Sequence, residues 1–138
     1  MTQRRLVEVA MSLYQKSVLF LFVLAVIRWN TSVFGETVLI TNTLNGKEAL
    51  NLHCKSKNND LGLHVVNFNE TFDWKFKPSA FADTLFFCSF QWGNTSLVHY
   101  DAYVEDRDQG ICKECHWYVK EDGPCRLESN HLSCYKWN

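Results

Sequence analysis

From residue 36 onward, apolar residues recur at every second position in short runs that polar turns separate. The run ALNLHC alternates Leu50, Leu52 and Cys54 with polar residues, and TFDWKFK and SLVHYDAYVE alternate in the same way. Alternation with period two is typical of a strand that turns one face toward a core. Apolar residues in this part of the chain do not keep the i, i+3, i+4, i+7 spacing of an amphipathic helix. The pattern therefore predicts an all-β domain.

Turn residues separate these runs at short intervals. Asn45-Gly46 follows ETVLITNTL and predicts a hairpin, and Gly93-Asn94 marks a later turn. Strands this short and regular are typical of two sheets packed face to face, so we predict a small antiparallel β-sandwich of about eight strands. Large aromatic side chains are predicted to fill its core: Phe68, Phe72, Trp74, Phe76, Phe81, Phe86, Phe87, Phe90, Trp92 and Trp117.

The first 35 residues follow a different pattern. Arg4, Arg5 and Lys16 precede an uninterrupted apolar run at 18–27, which Arg28 closes. This run is too short to cross a bilayer, which takes about 20 helical residues, but it matches the apolar region of a secretory signal. We therefore predict a signal peptide at residues 1–35 and one secreted domain at residues 36–138, with no stable membrane insertion after cleavage.

Removal of the leader changes the charge balance. The full chain has 14 basic and 15 acidic residues, whereas residues 36–138 keep 10 basic and 14 acidic ones, a net charge of −4. A weakly acidic domain without a basic run has no surface for a phosphate backbone, so we expect no nucleic acid partner. All six cysteines follow the predicted cleavage point, and an even number in an oxidising compartment predicts three disulfides.

Two N-x-[ST] sequons lie in the predicted mature domain, at Asn69 and Asn94. A third, at Asn30, lies in the predicted leader. A sequon is used only on the surface of a secreted protein, and the turn at Asn94 suits a bulky glycan. We expect glycosylation at Asn69 and Asn94.

The segment ICKECHWYV contains Cys112, Cys115 and His116 in the C-x-x-C-H order of covalent haem attachment. Haem also needs a second axial ligand and a helical pocket, but both methionines lie in the leader and His116 lies in a predicted strand. A thioredoxin-type redox pair needs a helix after the motif, and none is predicted. Zinc is a further alternative, which the oxidising route of export disfavours. Its candidate ligands are Cys112, Cys115, Cys125, His131 and Cys134. We therefore expect structural disulfides, with no metal and no cofactor.

The chain shows no familiar catalytic pattern. It contains no G-x-S-x-G, no H-E-x-x-H and no local Ser/His/Asp arrangement. An acidic cluster of Asp101, Glu105, Asp106 and Asp108 offers oxygen ligands for calcium. Arg107 interrupts the cluster, which favours a solvated loop with internal ion pairs. We therefore predict that the protein is not an enzyme.

The order of motifs along the chain resembles the plant self-incompatibility protein family of small secreted S-protein homologues. The resemblance includes VLITNTL, LNLHCKSKNNDLG, FFCSFQW, DRDQGICKECHWYVKEDGPC and the terminal CYKW. Its most specific parts are HCKSKNNDLG, Cys88 among aromatic residues, and the spacing of Cys115, Trp117, Asp122 and Gly123. Membership implies a compact β-sandwich in the extracellular space, without catalysis.

The resemblance also implies a role in recognition, because the founding members are stigma ligands that act on a receptor of the pollen surface. We expect a monomeric extracellular ligand that binds a cell-surface receptor protein through polar loops. The receptor-binding candidates are Asn58, Asn59 and Asp60, and Glu105, Asp106, Arg107, Asp108 and Gln109. The alternative is a secreted structural or defence-type module that binds cell-wall glycans through exposed aromatic rings.

Within the HCKSKNNDLG block, the resemblance favours structural roles. Gly62 is expected at positive φ in a turn, and Asp60 is expected to accept hydrogen bonds from loop amides. An acid/base pair of His53 and Asp60 is the functional alternative.

The family resemblance also suggests a disulfide pairing. Four cysteines are widely shared in the family, and we take Cys112 and Cys125 as the pair that a subgroup adds. We expect this pair to bridge, since cysteines separated by two residues on a strand rarely bridge each other. The other expected bridges are Cys54–Cys134 and Cys88–Cys115.

Overall fold

The structure is a computed structural model that describes residues 3–31 and 35–138. The chain divides into two units, Met1–Phe34 and Gly35–Asn138. The first contains the helix α1 (Gln3–Thr31). Among the described residues, no helix is both long enough and apolar enough to span a membrane. The predicted signal peptide includes residues 1–2 and 32–34, which lie outside the described residues.

The second unit contains nine strands and one single-turn helix. In chain order these are β1 (Glu36–Asn42), β2 (Leu50–Lys55), β3 (Asp60–Val66), β4 (Thr71–Phe76), β5 (Leu85–Trp92), β6 (Val98–Val104), α2 (Glu105–Asp108), β7 (Glu114–Lys120), β8 (Gly123–Glu128) and β9 (His131–Cys134). β2, β4 and β6 fall in the three runs whose alternation predicts strands. The hairpin predicted at Asn45-Gly46 is wrong, because β1 and β2 lie in different sheets. The all-β prediction is therefore confirmed, and α2 is a small addition to it.

The strands form two sheets. One has the order β4-β1-β7-β8-β9 and the other the order β3-β2-β5-β6. Their neighbours are antiparallel except β1 and β7, which are parallel. The prediction of antiparallel sheets is wrong at this pair. Between β1 and β7 the chain forms the whole second sheet, and this long crossover allows β7 to lie beside β1 in the same direction.

Side chains from the inner faces of the sheets form one core, in which Trp117, Tyr103 and Phe90 are fully buried. Three of the aromatic residues predicted for the core are outside it: Phe68, Phe81 and Phe87. Phe81 lies in the connection between β4 and β5 and is 99% exposed. Phe87 is 43% exposed, because burial alternates along β5 and Phe87 lies at an outward position between the buried Phe86 and Cys88.

The connections between strands lie at two ends of the sandwich. At the first, which we name the α2 end, are residues 56–59, 77–84 and 105–113. The register places them together, because the last residue of β2 pairs near the start of β5, and the start of β5 pairs with the last residue of β6. At the opposite end are residues 67–70 and 93–97, with the connection from β1 to β2.

The three disulfides are Cys54–Cys88, Cys112–Cys115 and Cys125–Cys134. The expected bridges Cys54–Cys134, Cys88–Cys115 and Cys112–Cys125 are therefore wrong. Two of the observed bridges join residues that face each other on neighbouring strands, with Cα atoms 4.0 Å apart in each case. The third bridge, Cys112–Cys115, is possible because Cys112 lies in the turn before β7. The expectation that these two cysteines do not bridge assumed that both lie on one strand.

Candidate functional site

The connection between β2 and β3 is a short polar loop at the α2 end. The Ser56 N–H donates to the Asn59 carbonyl at 2.7 Å, and the Asn59 N–H donates to the Ser56 hydroxyl at 3.1 Å. These bonds fix the loop and leave Asn58 and Asn59 exposed. Both asparagines are receptor-binding candidates from the sequence, and the structure places them in an accessible, well-defined turn.

An open cleft of about 390 Å³ separates this loop from the connection between β4 and β5. Its lining residues come from 56–59 on one side and from 76–87 on the other. Phe87 contributes an apolar wall, while Lys57 and Asp83 contribute charges of opposite sign. The exposed ring of Phe81 belongs to the same connection. The cleft therefore combines polar, charged and aromatic groups on a rigid frame, which is typical of a recognition surface.

α2 begins against this connection. The Glu105 N–H donates to the Thr84 carbonyl at 3.0 Å, and the Thr84 N–H donates to Glu105 Oε2 at 2.6 Å. Asp106 and Gln109 are exposed beside it. The two polar segments predicted from the sequence therefore lie on either side of residues 77–84, and the fold brings them to one end of the molecule.

Asp60 begins β3 and has a structural role in its loop. Its carboxylate lies 2.5 Å from His53 Nε2 and accepts the Gly62 N–H at 2.9 Å. Gly62 has φ +78, so both structural expectations for this block are confirmed. The hydrogen bonds from His53 and then from Gly62 lower the pKa of Asp60 to about 2. A carboxylate with so low a pKa is a weak base, which disfavours the acid/base alternative.

Asp108 is the receptor-binding candidate that the structure removes. Its side chain is 0% exposed, so it cannot touch a partner. It accepts hydrogen bonds from Arg107 Nη2 at 2.7 Å and from Arg126 Nη1 at 2.6 Å. Burial alone raises the pKa of Asp108, but the bonds from Arg107, the Val104 N–H and Arg126 outweigh it and hold the pKa below its ordinary value. The expected internal ion pair is present between Arg107 and Asp108, but the expectation that the loop is solvated is wrong at Asp108, because these cations draw its carboxylate inward.

Arg126 is the important residue that the sequence reasoning missed. It is 3% exposed, and its guanidinium lies 4.8 Å from the centre of the Trp117 ring. Its Nη2 donates to Glu128 Oε1 at 2.6 Å. Arg126 lies opposite Trp117 at an inward position of β8. A basic residue at an inward position needs a carboxylate partner, and this is the signal by which Arg126 could have been recognised.

Arg107 covers the Trp117 and Tyr100 rings, at 5.2 and 5.4 Å from their centres, and is partly exposed. It donates to the Tyr100 hydroxyl at 3.2 Å and to the Asp101 carbonyl at 2.9 Å. These bonds hold its side chain against β6. Arg107 is therefore mainly a structural residue that leaves only one side available to a partner.

The C-x-x-C-H segment has no geometry for haem attachment. The sulfurs of Cys112 and Cys115 bind each other, and His116 lies on the outer face of β7 with its Nε2 2.7 Å from Thr41 Oγ1. Burial lowers the pKa of His116. Among the described residues no group of three or more His, Cys, Asp or Glu side chains converges on a metal position.

The two sequons lie far from the candidate recognition loops. Asn69 is exposed in the connection between β3 and β4, and Asn94 is exposed in the connection between β5 and β6. Both connections belong to the end opposite α2. A glycan at either position would leave the cleft uncovered.

The fold and the α2 end define a class of protein, a disulfide-bonded β-sandwich with exposed polar loops at one end. Residues 37–137 match the family described as plant self-incompatibility protein S1, and the chain belongs to this family. The resemblance stated from the sequence motifs is therefore confirmed.

Relatives from Arabidopsis thaliana support this assignment. S-protein homolog 5 is 48% identical over 101 residues, which cover 73% of this chain and 77% of the relative. S-protein homolog 29 is 39% identical over 109 residues, which cover 76% of this chain and 80% of the relative.

A solved structure shares the fold. It is described as a self-incompatibility protein homologue from "a widespread family of small, highly stable, secreted proteins from plants". It superimposes with a TM-score of 0.56 at 24% identity, and the match covers 75% of this chain and 95% of the other.

Proposed function

We propose that the chain is a secreted, monomeric recognition protein that binds a cell-surface receptor through its α2 end and catalyses no reaction. Its family and the related structure, which is described as that of a secreted protein, support secretion. We further propose that residues 1–35 are the signal peptide of this export. N-terminal sequencing of the secreted protein tests the leader, because the mature chain should begin at or near Glu36.

One observation carries the proposal. The cleft at the α2 end is formed by two connections that are fixed by hydrogen bonds. It displays Asn58 and Asn59, and Phe81 is exposed on one of the connections that form it. The Cys54–Cys88 bridge joins the two strands directly beneath it. A rigid, mixed polar and aromatic surface loses little entropy when it binds, and this favours recognition of a protein partner.

The positions of the two sequons also support the α2 end as the binding surface. Glycans at Asn69 and Asn94 would cover the opposite end, so the α2 end would be the free protein surface of the molecule. The receptor-binding candidates that remain accessible are Asn58, Asn59, Asp60, Asp106 and Gln109, with Glu105 and Arg107 contributing their exposed sides.

A single substitution can place a glycan in the cleft. Ala82→Asn completes an N-x-T sequon with Asp83 and Thr84 on its exposed wall. We expect the glycosylated variant to lose saturable binding to plasma-membrane vesicles of the plant that expresses the protein, since the glycan would exclude a partner. Binding of the labelled protein to these vesicles is the measurement.

Ala82→Gln is the matched control, because it enlarges the same side chain but attracts no glycan. It should bind like the wild-type protein and unfold at the same temperature. Normal binding by the glycosylated Ala82→Asn variant would refute recognition at the α2 end.

The glycan-binding alternative has one observation in its favour, the exposed Phe81 ring beside the cleft. Aromatic rings can stack on sugars, so a glycan array with the purified protein separates the two functions. We expect no signal above background. Specific binding that Phe81→Ala abolishes would replace the receptor with a cell-wall glycan.

A further inference from the structure

The Cys112–Cys115 bridge differs from the other two disulfides. Cys54–Cys88 and Cys125–Cys134 each join two strands of a sheet, with sequence separations of 34 and 9. Cys112 and Cys115 are only three positions apart, and their bridge closes a small loop before β7. A bridge across so short a loop restricts the unfolded chain least, so its contribution to stability is the smallest of the three.

The two cysteines of this bridge differ in exposure. Cys115 is 0% exposed on the inner face of β7, whereas Cys112 is only partly buried. Beside Cys112, Ile111 is 68% exposed and Lys113 is exposed. Of the two cysteines, Cys112 is therefore the one that a thiol from another molecule would approach, and Ile111 offers an apolar contact for the chain that carries the thiol.

A buried cation, the Arg126 guanidinium, lies against the sulfur of Cys112. Arg126 Nη1 is 3.5 Å from Cys112 Sγ and also donates to Asp108 Oδ1 at 2.6 Å. The Cys112 N–H donates to the Asp108 carbonyl at 3.1 Å, so α2 fixes the position of the cysteine. Arg126 therefore has one N–H group available for a negative sulfur at Cys112.

Other charges surround this pair of groups. α2 contributes Arg107 and the carboxylate of Asp108, and Glu128 binds the other edge of Arg126. Lys113 and Glu114 follow Cys112 in the chain and are exposed. The carboxylates disfavour a thiolate and the cations favour it, but only Arg126 contacts the sulfur. The exposed charges of Lys113 and Glu114 are screened by water and salt, and the buried Asp108 carboxylate is paired with Arg107 and Arg126.

We propose that Cys112–Cys115 is a thiol–disulfide exchange site that oxidises one pair of thiols on a partner protein, in a stoichiometric reaction without turnover. A substrate thiolate attacks Cys112 Sγ, a mixed disulfide forms, and Cys115 leaves with the electron pair and takes up a proton. The second substrate thiolate then attacks the substrate sulfur of the mixed disulfide, and Cys112 leaves as a thiolate. The partner loses two electrons and gains a disulfide, while this chain gains them as a dithiol.

Arg126 acts in the second step. Its free N–H stabilises the departing Cys112 thiolate, and a thiol that leaves as a stabilised anion leaves faster. In the reverse direction the same contact keeps Cys112 as the reactive thiolate of the reduced protein. The site needs no cofactor, because the thiols of the partner supply the electrons.

The first test measures which bridge is reduced. The purified secreted protein is equilibrated with mixtures of reduced and oxidised glutathione, quenched with acid, alkylated and mapped by mass spectrometry. We expect Cys112–Cys115 to open at a ratio of reduced to oxidised glutathione at least about tenfold lower than the other bridges require. Equal resistance of all three bridges, or a different partner for Cys112, would overturn the proposal.

The second test measures the pH dependence of alkylation in protein whose Cys112–Cys115 bridge alone is reduced. We expect half-maximal reaction of Cys112 with iodoacetamide below about pH 7.5, against about pH 8.5 for an ordinary cysteine. Arg126→Lys should move this midpoint upward. The matched control, Arg107→Lys, should leave it unchanged, because Arg107 does not contact Cys112.

Thermal unfolding of Arg126→Lys and Arg107→Lys shows whether each variant is folded. If Arg126→Lys does not fold, the wild-type pH profile decides alone, and a midpoint near 8.5 would refute the role of Arg126. Unchanged profiles in a folded Arg126→Lys variant would refute it as well.

Discussion

A single buried carboxylate organises the α2 end. Asp108 accepts bonds from Arg107, Arg126 and the Val104 N–H, and its carbonyl accepts the N–H groups of Ile111 and Cys112. A buried charge is tolerated only when its partners replace the lost water. Asp108 therefore connects β6, β8 and the segment before β7 through polar contacts that depend on its charge.

We expect Asp108→Asn to lower the free energy of unfolding by about 3 kcal/mol or more, because it leaves two arginines without their shared carboxylate. Asp106→Asn is the matched control, since Asp106 is an exposed acid of the same helix and should change stability by less than about 0.5 kcal/mol. Urea unfolding of both variants measures the difference. Equal stabilities would contradict the role given to Asp108.

The pKa of Asp108 also predicts how stability depends on pH. The pKa is lowered in the folded protein, so the unfolded chain binds its proton first as pH falls. The stabilising contribution of Asp108 is complete above its ordinary value of 3.8 and is lost as pH falls through the folded pKa. We expect the free energy of unfolding to decrease below about pH 4 in the wild-type protein.

Urea titrations from neutral pH to pH 2 measure this decrease. Asp60→Asn serves as a comparison, because Asp60 also has a lowered pKa but lies at the surface. The acid-dependent loss should be clearly smaller in Asp108→Asn than in the wild-type protein. A loss of the same size in that variant would show that other groups cause it.

At the residue scale, the sequence predicted contacts between neighbours and missed contacts between distant segments. The roles of Gly62 and Asp60 follow from a loop of a few residues, and the structure confirms them. Arg126 pairs with Asp108 across 18 positions. Nothing local distinguishes this pair from solvated charges, because its stability depends on a fold that brings β8 beside α2.

At the scale of elements, alternation located the strands because the period of two is a local property of the chain. The register between strands is set by the core and was not available from the sequence. The disulfide pairing failed for this reason, since Cys54 faces Cys88 and Cys125 faces Cys134 only in the observed register. The accessibility of Phe81 depends equally on how β4 connects to β5.

Trypsin offers a direct check of the pairing under non-reducing conditions. Cleavage after Lys113 falls inside the small loop, so we expect the peptides DQGICK and ECHWYVK to stay joined. EDGPCR and LESNHLSCYK should form a second linked pair. A link between DQGICK and EDGPCR would contradict the structure and would restore the bridge expected from the sequence.

At the scale of the whole molecule, the sandwich has two ends of different character. The α2 end carries the cleft and the polar segments, and the opposite end carries Asn69 and Asn94. The sequence identified both sets of residues but not their separation, which follows from the direction of each strand. Because the two ends are separate, a partner that binds at the α2 end would not meet glycans at Asn69 and Asn94.

We expect the double variant Asn69→Gln, Asn94→Gln to bind plasma-membrane vesicles as the wild-type protein does, because both positions are remote from the cleft. Mass spectrometry confirms the loss of glycans, and the binding assay with labelled protein measures affinity. Weaker binding by a folded double variant would place the partner at the opposite end. The Ala82→Gln variant, which keeps both native sequons, shows the level of normal binding.

The parallel pairing of β1 with β7 has a consequence for the time at which the domain can fold. Thr41 in β1 and His116 in β7 are 75 positions apart, yet they are neighbours in the middle of the five-stranded sheet. Contacts between such distant positions make folding slow, because the intervening chain must close into a large loop first. A nascent chain therefore cannot complete this sheet until nearly all of it has been synthesised, because β7, β8 and β9 come last in the chain.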